Sequence, residues 1–143
     1  MEQHNLRENV AQIVLLRHLH HPQQPQLLLS NTHTLFNPKR GEVKLGQARV
    51  LTSEIAAALE DAGTSHQGPL GVVMCGDYNT LPGSALYRFW AHGSVDCTSV
   101  DRRDLAGQVR HAAFLWCRLL FNFVVIWMCN RRHTAVVLLP TLC

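Results

Sequence analysis

Two short apolar runs lie near the start of the chain, residues 11–17 (Ala-Gln-Ile-Val-Leu-Leu-Arg) and 26–31 (Gln-Leu-Leu-Leu-Ser-Asn), with a turn-rich stretch holding Pro22 and Pro25 between them. Runs of this length between breakers predict buried strands that pair with one another. The period then changes. Leu45, Ala48, Leu51, Ile55, Leu59 and Ala62 recur every three or four residues, which predicts one face of a helix over about residues 42–61, closed by Gly63 as a C-terminal cap. A further run, Leu70-Gly71-Val72-Val73-Met74-Cys75, predicts a buried strand ending at Gly76. Leu81-Pro82-Gly83-Ser84 reads as a turn in which Ser84 N-caps a short helix running through Trp90 and ending near Gly93. Strand, strand, helix, strand, helix is the order of a mixed α/β architecture.

The remainder of the chain has a different pattern. Residues 112–129 are apolar nearly all round, and Asn130-Arg131-Arg132-His133 precedes a second apolar run to Leu139. One reading is a membrane helix, which wants roughly 20 apolar residues, with Arg131 and Arg132 as its cytoplasmic flank. Arg118 and Asn122 interrupt the run and count against a span. The other reading is a tail foreign to the domain before it, arising from an altered reading frame or a retained intron. Trp116, Phe121, Phe123 and Trp127 read as core filler, because a base-stacking platform wants exposed aromatics interleaved with basic residues.

With 143 residues, 47% hydrophobic and 16% charged, the composition is that of one globular domain with material for a core, and it excludes a disordered chain. The net charge of +3 is unevenly placed: residues 1–100 carry seven Lys/Arg against eight Asp/Glu, and residues 101–143 six Arg against two Asp. The basic excess therefore belongs to the tail. The five cysteines are odd in number and form no C-x-x-C pair, and residues 1–20 lack the apolar core of a signal peptide. Both features favour a reducing compartment, the cytoplasm first and the nucleus second. His18, His20 and His21 cluster before Pro22. Imidazole binds many transition metals, but no cysteine or carboxylate spacing completes a shell here, so a solvated hairpin loop is the preferred reading.

Two short motifs carry candidate chemistry. Phosphodiester hydrolysis needs a positioned water, a group to take its proton, and positive charge on the phosphoryl oxygens. Asn31-Thr32-His33 ends one predicted strand, and Gly76-Asp77-Tyr78-Asn79 follows another. If the two strands run side by side in the same direction, both motifs meet at one sheet edge. Either motif alone reads more simply as a turn, in which Asp and Asn side chains satisfy local backbone groups.

The strings Asn31-Thr32-His33-Thr34-Leu35-Phe36-Asn37-Pro38-Lys39-Arg40-Gly41-Glu42-Val43-Lys44-Leu45-Gly46-Gln47 and Cys75-Gly76-Asp77-Tyr78-Asn79-Thr80-Leu81-Pro82-Gly83-Ser84-Ala85-Leu86-Tyr87 resemble the Angel, nocturnin and deadenylase branch of the endonuclease/exonuclease/phosphatase superfamily, and Angel proteins most. The resemblance implies part of a two-sheet β-sandwich flanked by helices, deoxyribonuclease I-like, truncated at both ends. A partial domain is expected over residues 5–108 and an unrelated apolar, Arg-containing tail over 109–143. By the same resemblance Asp77 orients or deprotonates the attacking water, Asn79 hydrogen-bonds the scissile phosphate, and His33 stabilises the pentacovalent phosphate. Asn31 supports the site from the same strand end. Lys39 and Arg40 either meet an RNA backbone or belong to a solvated loop.

The implied activity is Mg²⁺-dependent hydrolysis at RNA 3′ ends or of small phosphate esters. The family's Gln-Glu motif, whose carboxylate binds Mg²⁺, has no counterpart before Leu6, and its closing Ser-Asp-His motif has none after residue 108. His133 precedes an apolar run much as that histidine does, but Arg132 stands where the Asp belongs. The expectation is a chain that is catalytically dead or very weak alone, with no assigned metal ligand and no stable oligomer. The alternatives are a non-catalytic module that binds a partner such as a translation factor, and a protein anchored to a membrane through residues 112–129.

Overall fold

Residues 9–21, 26–65, 70–109, 122–130 and 133–141 are described by the structure, a computed structural model, the last two segments as backbone. The chain forms strand β1 (Ala11–Leu16), strand β2 (Gln26–His33), helix α1 (Gly41–Ser65), strand β3 (Leu70–Asp77), helix α2 (Ala85–His92), strand β4 (Asn122–Asn130) and strand β5 (His133–Thr141). The strands make a single sheet in the order β1-β2-β3-β4-β5. β1 and β2 pair antiparallel as expected, from Ala11↔Thr32 to Leu16↔Leu27. β2 and β3 run parallel, from Gln26↔Leu70 to His33↔Asp77, with α1 as the crossover between them. A parallel pair needs such a crossover, because a tight turn reverses the chain. The α/β class read from the sequence is the class found; of the two sheets expected, the described residues form one.

Alternation along the strands decides which face is covered. Gln26, Leu28 and Ser30 of β2 and Val72 and Met74 of β3 are buried, and Leu28, Val72 and Met74 pack in one cluster with Ala48, Leu51 and Ile55 of α1 and Leu86 and Trp90 of α2. Leu45 and Leu59 lie half-buried against the same cluster, so the six apolar positions predicted for the helix face all point inward. On β1, Ile13 and Leu15 join this core, while Val14 and Leu16, on the other face, are 48% and 44% exposed.

Two details differ from the sequence reading. The helix does not stop at Gly63; it continues to Ser65, because Ala62 still has core to cover and an interior glycine costs only about 1 kcal/mol. The apolar tail holds strands where a membrane helix was one reading: β4 pairs antiparallel with β3, from Leu70↔Cys129 to Gly76↔Phe123, and β5 pairs with β4. No helix among the described residues is long and apolar enough to cross a membrane. Trp116 and Phe121 lie outside the described residues, as do the side chains of Phe123 and Trp127.

α2 is bounded as predicted. Ser84 Oγ accepts the Tyr87 N–H at 3.1 Å, and Gly93, at φ 75°, donates its N–H to Phe89 O at 2.8 Å. Each end thus satisfies groups that the helix itself leaves open. The segment after α2 returns to the start of α1. Leu105 and Ala106 are buried there, and a Cβ on Gly41 would stand 2.8 Å from Leu105 N, so only glycine admits this approach.

Candidate active site at the carboxyl end of the parallel strands

The parallel register brings the two motifs together. His33 stands directly opposite Asp77, and Asn31 opposite Cys75. All four are odd-numbered and therefore project from the face that α1 and α2 do not cover. His33 Nε2 lies 3.8 Å from Asp77 Oδ2, with the imidazole 66% and the carboxylate 23% exposed. That distance exceeds a hydrogen bond, so each group retains capacity for a third partner between or above them. Asn31 is exposed on the same strand, two residues before His33.

Gly76 makes the approach possible. At φ +138° it occupies backbone space that L side chains avoid, and a Cβ there would fall 1.9 Å from Thr32 O. The following three residues divide their work. Tyr78 turns into the core, 1% exposed, with its ring 4.3 Å from that of Trp90 and its hydroxyl donating to Cys75 O at 3.0 Å. Asn79 takes a left-handed conformation, φ 46°, which asparagine tolerates better than most residues. Its N–H donates to Asp77 Oδ1 at 2.9 Å, and its Nδ2 donates to Thr34 O at 3.0 Å. One carboxylate oxygen of Asp77 is thus held by the turn, and the other faces His33.

A second layer fixes the strand ends. Thr34 N–H donates to Asp77 O at 3.0 Å, tying the end of β2 to the end of β3. Asn9 Nδ2 donates to His33 O at 2.9 Å, and Gln47 of α1 accepts the Leu35 N–H at 2.9 Å while donating to Asn9 Oδ1 at 3.2 Å. Lys44 of α1, completely buried, donates through Nζ to Asn79 O at 3.1 Å and to Gln108 Oε1. Burial pulls its pKa from about 10.5 down to about 8, and the nearby Asp77 carboxylate opposes that shift.

The described residues do not form a shell for Mg²⁺. No group of three or more His, Cys, Asp and Glu side chains among them is placed to hold a metal, whereas Mg²⁺ demands near-octahedral oxygen coordination. His18 of the histidine cluster spends its Nδ1 accepting the N–H groups of His20 and His21 at 3.2 and 3.1 Å, which is the hairpin-loop arrangement. A shallow depression of about 340 Å³ lined by Ile13, Leu15, Leu28, Ala58 and Ala62 lies against the other half of the sheet, away from Asp77.

Comparison with known proteins agrees with this geometry. No protein-family model matches the chain. It is 37% identical over 106 residues to carbon catabolite repressor protein 4 homolog 3 of Arabidopsis thaliana, a match covering 74% of this chain and 22% of that one. It is 35% identical over 103 residues to Protein angel homolog 2 of Homo sapiens, covering 71% and 18%. A crystal structure of ANGEL2, a 2′,3′-cyclic phosphatase, in complex with adenosine-2′,3′-vanadate matches with a TM-score of 0.60 at 35% identity, over 71% of this chain and 28% of that one. The chain belongs to the Angel and CCR4-like branch of the endonuclease/exonuclease/phosphatase superfamily. It spans about a fifth of the length of these curated relatives.

Within this Angel-like chain, His33, Asp77, Asn79 and Asn31 gather at one strand-end edge, but Lys39 and Arg40 remain in their own loop. Lys39 N–H donates to Asn37 Oδ1 at 3.0 Å, and Arg40 Nε donates to Glu42 Oε1 at 2.7 Å. Arg40 is thereby partly neutralised, and Lys39 is an exposed cation. The sequence reading missed Asn9, Gln47, Lys44 and Gln108. Lys44 had a signal: it sits four residues before Ala48, on the same helical stripe as the predicted core.

Proposed function

We propose that this chain is a portion of an Mg²⁺-dependent phosphodiesterase that acts on RNA 3′ ends, either as a deadenylase-like exonuclease or on 2′,3′-cyclic phosphates, and that it does not turn over substrate alone. The reading is carried by the His33 and Asp77 side chains, 3.8 Å apart at an open strand end. In it Asp77 Oδ2 orients and deprotonates the attacking water, the exposed His33 imidazole stabilises charge on the phosphoryl oxygens, and the remaining polar capacity of Asn79 meets the scissile phosphate. Asn31 supports the same edge, and Lys39 is available to an RNA backbone. Mg²⁺ would supply Lewis-acid stabilisation of the phosphoryl group; the single carboxylate among the described groups at this edge does not make its shell, and for that reason the portion is read as inactive by itself. Residues 5–108 are read as the family portion and 109–143 as a tail foreign to it, in a cytoplasmic or nuclear setting.

The test is a chimera in which residues 9–108 replace the matching segment of Protein angel homolog 2. It is assayed with Mg²⁺ or chelator on adenylate-rich RNA and on RNA ending in a 2′,3′-cyclic phosphate. Activity of the chimera that falls by about 10²-fold or more in Asp77→Ala is expected for a general base. Equal activity of the two proteins removes Asp77 from the chemistry. A second reading, a non-catalytic module that binds a protein such as a translation factor, draws on the exposed Val10, Val14 and Leu16. Partner binding that survives both Asp77→Ala and chelation would favour it.

A further inference from the structure

Lys44 occupies an unfavourable place for a cation. It is 0% exposed, and it lies in the first turn of α1, where the helix dipole already favours negative charge. An apolar side chain of similar length would fill that position without desolvating a charge. What Lys44 does there is specific: its ammonium reaches across to the backbone oxygen of Asn79, the residue in left-handed conformation at the site, and to the side-chain oxygen of Gln108.

Gln108 comes from a segment bound to the back of the site at several points. Leu81 N–H donates to Ala106 O at 3.0 Å and Leu86 N–H donates to Leu105 O at 2.8 Å, while Val109 N–H donates to Asp104 Oδ1 at 3.0 Å and closes the segment on itself. Gly107, at φ +76°, turns the chain there so that Gln108 meets Lys44. Residues 104–109 and the first turn of α1 thus grip the far side of the turn whose near side carries Asp77.

We propose that Lys44 and Gln108 form a buried clamp that holds Asn79 in its left-handed conformation and so aims the free carboxylate oxygen of Asp77 at His33, making both positioning residues for the site. The chain of contacts is short. Lys44 fixes Asn79 O; Asn79 N–H fixes Asp77 Oδ1; Asp77 Oδ2 is left facing His33 Nε2. Three donors in a tetrahedral ammonium suit this task, since one cation can serve two acceptors from different segments and still offset the Asp77 charge. The clamp deepens the proposed phosphodiesterase reading and rests on its assignment of Asp77 and Asn79.

The test is hydrogen exchange of individual backbone amides by NMR on the full chain, which does not depend on turnover, in native protein, Lys44→Met and Gln108→Ala. The expected result is that Lys44→Met speeds exchange of the Asn79 amide by about tenfold or more beyond any change at the core amide of Ile55, with a smaller change of the same kind in Gln108→Ala. Equal changes at Asn79 and Ile55 would mean that Lys44 only supports the fold, and an unchanged Asn79 amide would mean that it holds nothing; either overturns the clamp. If Lys44→Met does not fold, Gln108→Ala decides: an Asn79 amide that exchanges as in native protein overturns the proposal. Loss of hydrolysis in the Asp77→Ala chimera bears on the phosphodiesterase reading alone, so the two can fail separately.

Discussion

The two faces of the sheet are built from alternate residues of the same strands, yet they are organised for different ends. On the covered face, Leu28, Val72 and Met74 are at most 6% exposed and meet two helices. On the open face, one residue along, stand Val14 at 48% exposure, the half-buried Leu29 and Val73, and then Asn31, His33 and Asp77 at the strand ends. The covered face carries the core, and the open face carries the residues of the proposed chemistry. A one-residue slip between β2 and β3 would exchange them, which is why the register matters more here than any single contact.

That contrast can be broken at one point where the faces depend on each other. Gly76→Ala places a methyl group 1.9 Å from Thr32 O, in a backbone region that alanine avoids. The combined overlap and strain should destabilise the chain by more than about 3 kcal/mol, read as a lowered denaturant midpoint or loss of folded protein. A variant of near-native stability would show that β2 and β3 do not approach as closely as described.

The contrast is sharpened by comparing one residue from each face. Leu28→Ala should cost about 2–5 kcal/mol by leaving a cavity beneath α1. Val14→Ser, on the open face of β1, should change stability by no more than about 0.5 kcal/mol. Urea unfolding of the two variants checks this, and similar losses would mean that the open face is covered in solution.

The contrast also has a pH dependence, set by Lys44 behind the site. Because the folded pKa of Lys44, about 8, lies below its ordinary value, the unfolded chain binds more protons above pH 8. Stability from this group therefore rises with pH from about 8 towards 10, by at most about 1.4 kcal/mol per unit. Burial raises the Tyr78 hydroxyl pKa, so above pH 10 the folded state binds more protons and stability falls again. Lys44→Met should remove the rise and keep the fall; a rise of the same size in that variant would assign it to another group.

Much of this was legible in the sequence. The period of Leu45, Ala48, Leu51 and Ile55 marks α1, the turn around Ser84 marks α2, and the breakers around residues 11–31 mark the first strand pair, because local backbone preference and burial agree there. The end of α1 was misread because a glycine that suits a cap is also tolerated inside a helix when the apolar stripe continues. The strands of the tail were not legible, because a continuous apolar run suits a membrane helix and a buried strand alike, and periodicity does not separate the two.

By itself the sequence determined the mixed α/β class, the family and the residue types that could serve phosphoester chemistry, since these are properties of local pattern and of ordered motifs. Only the tertiary structure decided that His33 and Asp77 stand opposite each other and that Lys44 lies behind Asn79. Those outcomes depend on strand register and on segments 35 and 64 residues apart meeting in space, and no local preference of the chain encodes such a meeting.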